Sequence, residues 1–348
     1  MPDRAYLDHA ATTPVLPAAR VAMADAMARW ANPSSPHAEG RAARAALEDA
    51  RARIGAALGW PHALILTSGA SEALALALGR ATAPHRTIGA TEHNAVRRAA
   101  PDAAILPVDG DGRVDPAAMP ERALVAIQSV NSETGVIQPH DALADAIRAR
   151  GGVWLADCAQ SAAKMPLPDA DLIVVSAHKL GGPPGIGALL VRDLALLRPD
   201  GGQEQGYRGG TENVPAAIGF AAALAARAGR DHLPRLRTLL DDAVQAAGGL
   251  VVAADAPRLP EIASYRLPGV AAAAQLIALD MAGVAVSAGS ACSSGSLRPS
   301  AVLTAMGWSE ADAREVIRVS LAPETSEAEI ARFIAAFGAI AARRRAAA

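Results

Sequence analysis

The chain has 348 residues, 51% of them hydrophobic and 3% aromatic, with a formal net charge of −2. That apolar content can bury a large core, and the length suggests two domains or one large α/β unit. No basic run is long enough to argue for nucleic acid; Arg343-Arg344-Arg345 is short and reads as a helix end, where cations favour the helix dipole. No run of 18 apolar residues argues for a membrane span, and Met1-Pro-Asp-Arg carries no apolar signal segment. The two cysteines, Cys158 and Cys292, make no disulfide framework, so a cytoplasmic setting is expected.

In chain order, helical spacing covers 40–58, and a short strand at 64–66 ends in Thr67-Ser-Gly69. A helix follows at 71–80. Strands are expected at 86–90, 104–108, 123–130, 153–156, 172–175 and 187–191, with a helix at 141–150. This alternation predicts an α/β fold: a mostly parallel sheet with helices on both faces. After residue 210 the texture changes. Helices at 212–229 and 233–247, strands at 250–253, 261–266 and 284–287, a helix at 272–281 and a terminal helix from 326 predict a smaller C-terminal α+β domain. The boundary falls near residue 231.

In open α/β sheets, ligands gather at the carboxyl ends of strands. Five polar clusters fall there: Thr67 to Ser71, Thr91-Glu-His93, Asn131-Ser132, Asp157 to Gln160, and Ser176-Ala-His-Lys179. The last is the most telling. The chain has two lysines, Lys164 and Lys179, and one of them ends a buried strand beside His178 and Ser176. Lysine forms Schiff bases, and partial burial lowers its pKa toward use; a surface lysine is the plain alternative. Thr67 to Ser71 leads a strand into a helix, as a phosphate cradle or an ordinary N-cap. A buried Asp157 needs a partner, such as a cationic pyridinium nitrogen, or else it caps a helix. His93 fits a ring-stacking or proton-shuttling role, or a solvated loop. Arg318, inside the apolar run 316–320, fits a carboxylate clamp or a structural ion pair. Cys292 sits among small residues in Ser287-Ala-Gly-Ser-Ala-Cys-Ser-Ser-Gly-Ser296, which reads as exposed and mobile, whereas Cys158 reads as core.

These residues together resemble the cysteine desulfurases of the class V aminotransferase family, with the fold-type I pyridoxal phosphate architecture. The likeness runs from Tyr6-Leu-Asp-His-Ala-Ala-Thr-Thr-Pro14 through Asn32-Pro-Ser-Ser35, Thr67-Ser-Gly-Ala-Ser-Glu72, Thr91-Glu-His93, Ser176-Ala-His-Lys179 and Arg208-Gly-Gly-Thr-Glu-Asn213 to Ser287-Ala-Gly-Ser-Ala-Cys292. The resemblance implies that Lys179 carries the cofactor covalently and that Asp157 meets the pyridine nitrogen. It implies Gln160 at the ring oxygen, His93 over the ring, and Ala70, Ser71, Ser176 and His178 around the phosphate. Thr211 reaches the partner subunit's phosphate in a homodimer. Asn32 and Arg318 bind the substrate, L-cysteine, and Cys292 is the nucleophile that receives its sulfur. No metal is implied. The cysteine segment is similar to the group with a long flexible catalytic loop, as in iron–sulfur-assembly and nitrogen-fixation desulfurases.

The implied division is a large cofactor-binding domain at 14–231 and a small domain of 1–13 with 232–348. Two departures from the family pattern stand out. Ser132 occupies the second position of the usual Asn-Asn-Glu, so the asparagine expected near the ring oxygen is absent. The sequence ends at Arg345-Ala-Ala-Ala348 without the long tail by which the housekeeping iron–sulfur desulfurase docks its scaffold. The sulfur acceptor is left open among iron–sulfur scaffolds, tRNA thiolation and molybdenum-cofactor sulfuration. The alternatives are a selenocysteine lyase or an aminotransferase of the same family, and a non-catalytic relative that only binds sulfur acceptors.

Overall fold

The computed structural model of the chain describes residues 4–29, 31–289 and 300–347. The chain opens with β1 (Ala5–Tyr6) and α1 (Pro17–Met27), whose proline at the first helical position needs no donor there. Helix α2 (Ala38–Leu58) starts where the His37 ring accepts from Gly40 N–H at 3.2 Å and stops at Gly59 in the left-handed region. Next come β2 (Ala63–Thr67), α3 (Ala70–Arg80), β3 (His85–Gly89), α4 (Asn94–Ala99), β4 (Ala104–Leu106) and β5 (Ala123–Ala126). Then α5 (His140–Ala149), β6 (Val153–Asp157), β7 (Leu172–Ser176), β8 (Gly187–Val191) and α6 (Val214–Ala225) complete the first half.

Seven strands form one sheet in the order β2-β8-β7-β6-β5-β3-β4. It is parallel except at β8, which runs antiparallel to both neighbours. Only residues 177–186 link β7 to β8, too few for a parallel crossover through a helix. The sequence pattern does not foretell this reversal. The residues of β7 alternate between two cores: Ile173 and Val175 pack with Trp154 and Phe220, while Leu172 and Val174 pack with Leu74 and Ile88. Burial on both faces explains why these strands read as continuous apolar runs.

A second group of elements follows: α7 (Leu233–Ala246), β9 (Leu250–Val251), β10 (Ile262–Arg266), α8 (Ala272–Met281), β11 (Val284–Ala285), β12 (Ser287–Ala288), α9 (Ala301–Ala305), α10 (Glu310–Ala313), β13 (Val316–Ser320) and α11 (Glu327–Ala347). The single strand expected at 284–287 is two pieces. β11 pairs with β1, and β12 pairs with β13 in the sheet β12-β13-β10-β9. Leu7, Leu240, Tyr265, Ile317 and Phe333 share a separate core here, so the N-terminal segment packs with the C-terminal half. Among the described residues, no helix is long and apolar enough to cross a membrane.

Gly187 is where β8 passes the turn that leads into α3. A methyl group there would lie 2.6 Å from Val175 O and 2.8 Å from Gly69 Cα, both backbone atoms that cannot swing aside. Gly187→Ala is expected to destabilise the fold by about 1–3 kcal/mol through overpacking. Urea unfolding measures this, and an unchanged midpoint contradicts it.

Candidate active site

The polar strand ends surround one cavity of about 490 Å³. Ala70, Ser71, His93, Ser132, Asp157, Gln160, Ser176, His178, Lys179 and Arg318 all line it. Asn32 and Thr211 do not. Asn32 lies on an exposed turn, where its side-chain oxygen accepts from Ser34 N–H at 2.9 Å; Thr211 is also exposed. Cys292 lies outside the described residues, and Gly289, three positions before it, forms part of the wall. Cys158 is fully buried, and burial pushes its thiol up to about 12, as a core residue requires.

Lys179 follows β7 in a short 3-10 turn, Ala177–Lys179. Its Nζ donates to Ala10 O and, at 2.9 Å, to Ala11 O. Gln160 Nε2 donates to the same Ala10 O at 2.9 Å, while its Oε1 is buried without a partner among the described residues. Asp157 ends β6 and accepts from Ala159 N–H at 2.9 Å. Burial raises its pKa, and the charges of His93 and Lys179 pull it back. His93 caps α4: its Nδ1 accepts from Ala95 N–H at 3.2 Å, which leaves the proton of a neutral ring on Nε2.

At the other end of the cavity lies the N-terminus of α3. Gly69 precedes it at φ +147°, a conformation that requires glycine, and a methyl group there would meet Ser176 Oγ at 4.0 Å. The first amides of the helix have no intrahelical acceptor, and Ser71, Ser176 and His178 stand beside them. His178 Nδ1 lies 3.1 Å from Thr12 Oγ1, and burial, then the Lys179 charge, lowers the ring to about 4. Sequence reasoning missed the brace behind this cradle. Glu72 accepts from Ser68 N–H and is held by Arg208 Nε at 3.1 Å. Both residues stood in the motifs, but their 136-residue separation hid the pairing.

Arg318 projects from β13 and is 4% exposed. It donates to Asp8 Oδ1 at 2.8 Å and to Ser132 O at 3.0 Å. It therefore forms an ion pair and faces the cavity as well. Ser132 is the cavity-facing member of its pair. Asn131 turns inward, its Oδ1 accepting from Glu133 and Thr134 N–H at 2.9 and 3.0 Å. Two buried acids were not anticipated. Glu92 accepts from Gln128 N–H at 2.8 Å, and burial followed by the nearby Asp157 charge keeps it well above the usual carboxylate range. Glu133 is raised by burial and accepts from the Ser300 hydroxyl.

These residues fit pyridoxal phosphate. A buried carboxylate calls for a cation opposite it, which the protonated ring nitrogen provides. Gln160 lines the same cavity with its Oε1 unpartnered among the described residues. The α3 amides with two hydroxyls suit a phosphate dianion.

Acid should reveal the neutral histidines. Folded His178 and His9 both sit at about 4, whereas an unfolded imidazole takes its proton near 6.5. The unfolded chain then binds more protons between these values, so stability present above 6.5 is lost as pH falls through 4. In the cofactor-free protein, His178→Gln is expected to flatten this decline in the urea midpoint. An equally steep decline contradicts it.

The family model for class-V aminotransferases matches residues 5–333. A cysteine desulfurase of Frankia sp. is 38% identical, over 93% of this chain and 88% of its own length. An IscS-like cysteine desulfurase of Mycobacterium tuberculosis is 36% identical over 99% of this chain and 98% of its own. Among solved structures, a NifS-like protein from Rickettsia africae superposes with a TM-score of 0.85 at 29% identity, covering 97% of this chain and 99% of that one. SspA in complex with cysteine superposes at 0.80 and 28% identity, covering 93% and 100%. The mostly parallel sheet, the lysine-bearing cavity and these likenesses agree, and the chain belongs to the class-V aminotransferase family, among its pyridoxal phosphate-dependent cysteine desulfurases.

Proposed function

We propose that this protein takes sulfur from L-cysteine, releases L-alanine and holds the sulfur as a persulfide on Cys292. The carrying observation is the arrangement of Lys179, Asp157 and Arg318 around one cavity whose wall includes Gly289, three residues from Cys292. The three-residue tether from Gly289 to Cys292 spans at most about 11 Å.

Pyridoxal phosphate, when bound, supplies the electron sink that makes the substrate's α-proton and its carbon–sulfur bond labile. Asp157 stays ionised and keeps the facing nitrogen protonated. His93 covers the ring. The α3 amides, Ser71, Ser176 and His178 hold the phosphate. Lys179 would hold the cofactor covalently, and its free amine would take and return the substrate's α-proton. Arg318 binds the substrate carboxylate beside its Asp8 partner. The Cys292 thiolate attacks the substrate sulfur, the sulfur–sulfur bond forms, and the carbon–sulfur electron pair stays with the carbon fragment. That fragment takes up a proton and leaves as alanine.

The large unit is residues 14–231, and the small unit is 1–13 with 232–348; the separate core of Leu7, Tyr265 and Phe333 supports this division. Thr211, exposed and outside the cavity, suits a homodimer in which it reaches the partner subunit's phosphate. The persulfide then passes to an acceptor: an iron–sulfur scaffold, a tRNA-thiolation protein or a molybdenum-cofactor enzyme.

Cys292→Ala is expected to keep the cofactor's visible absorbance but to form no persulfide and no alanine beyond background. Cys158→Ala is expected to keep turnover. Persulfide mapping by mass spectrometry measures both, and persulfide on Cys158 contradicts the reading.

Ser132→Asn is expected to tighten cofactor binding by about 10-fold or more, because a regained hydrogen bond to a charged or polarised group contributes about 1.5–3 kcal/mol. Equilibrium dialysis measures it; a strong loss of affinity shows that neighbouring groups have repacked around the serine.

A further inference from the structure

Behind Lys179 lies a second, smaller space of about 20 Å³, room for one water molecule. Lys164 and Lys179, the two lysines of the chain, both line it, together with Arg227, Glu261 and Glu324. Every charged element around Lys164 can be named. Arg227 and Arg230 follow α6, Glu261 precedes β10, Glu324 lies between β13 and α11, and His9 lies in the N-terminal segment.

The cations outnumber the anions. Glu261 is 1% exposed and is paired with Arg230, whose Nε donates to Oε1 at 2.5 Å. Among the described residues Lys164 makes no ion pair, and Glu261 Oε2 and Arg227 Nη1 lack partners. Glu324 is exposed, so water screens it. Arginine does not give up its proton. Lys179 has its ammonium held by the carbonyls of Ala10 and Ala11. The group with the least support for a charge is Lys164.

We propose that Lys164 stands behind Lys179 as an amine that is neutral above neutral pH. It acts as a positioning residue that keeps a second ammonium away from the cofactor-bearing lysine. Burial, opposed by Glu261 and reinforced by Arg227, Lys179 and Arg230, lowers Lys164 to about 7, in line with that placement. His9 is lowered to about 4 in the same region, chiefly by burial. A neutral Lys164 leaves Lys179 to carry the one lysine proton that the reaction moves. The inference rests on Lys179 being the cofactor lysine.

Two lysines permit a direct test. The full chain labelled with [13Cε]lysine gives two lysine resonances, titrated with and without pyridoxal phosphate. The resonance that changes on cofactor addition belongs to Lys179, and Lys164→Met identifies the other. The Lys164 midpoint is expected near about 7; a midpoint at or above the ordinary 10.4 overturns the proposal. In the holoenzyme, Lys164→Arg places a permanent charge behind Lys179. It is expected to lower the pH midpoint of the visible cofactor band by about one unit relative to Lys164→Met. Equal midpoints in the two variants overturn the proposal. Should cofactor addition perturb neither resonance, the reading of Lys179 fails instead, while the Lys164 titration still stands on its own.

Discussion

A half-buried carboxylate, desolvated at the end of a covered strand, has to be met by positive charge, and the site depends on that requirement at Asp157. β6 lies inside the sheet, with apolar cores on both faces, so water cannot solvate the acid from behind. The carboxylate lines the cavity, where the charges of His93 and Lys179 already stabilise it in part. On the proposed reading, the protonated ring nitrogen of pyridoxal phosphate would supply the rest. Burial, and then the Asp157 charge, also raise Glu92 well above the usual carboxylate range, which favours its protonated form.

The cavity is assembled from segments distant in the chain. Ala10 O accepts from both Gln160 and Lys179, so one carbonyl of the N-terminal segment fixes the Gln160 amide and the Lys179 amine together. Two residues earlier, Asp8 accepts from Arg318 and from Ser287 Oγ at 2.9 Å. The first dozen residues thus tie the large sheet to the small one, and β1 pairing with β11 holds them in place. That geometry explains why Arg318 on β13 and Lys179 after β7 line the same cavity.

What the sequence made legible was local. Strand ends and the glycine before α3 carry their chemistry in adjacent letters. Helix α8 at 272–281 and strand β8 at 187–191 were read at their observed bounds. Pairings across the chain were not readable. Asp8 and Arg318 are 310 positions apart, and Glu133 and Ser300 are 167 apart. Helix α1 was missed because its hydrophobic face is thin, Ala19 and Ala26 being its buried residues. Asn32 matched a motif, yet the fold places it on an exposed turn. Motif identity fixes a residue type, whereas the distance to a cavity is a tertiary property.

Borohydride reduction of the holoprotein followed by peptide mapping tests the central claim most directly, because it locks the cofactor to whichever lysine carries it. The account predicts a pyridoxyl adduct on the peptide containing Lys179 and an unmodified Lys164. An adduct on Lys164, or none on either lysine, would contradict it.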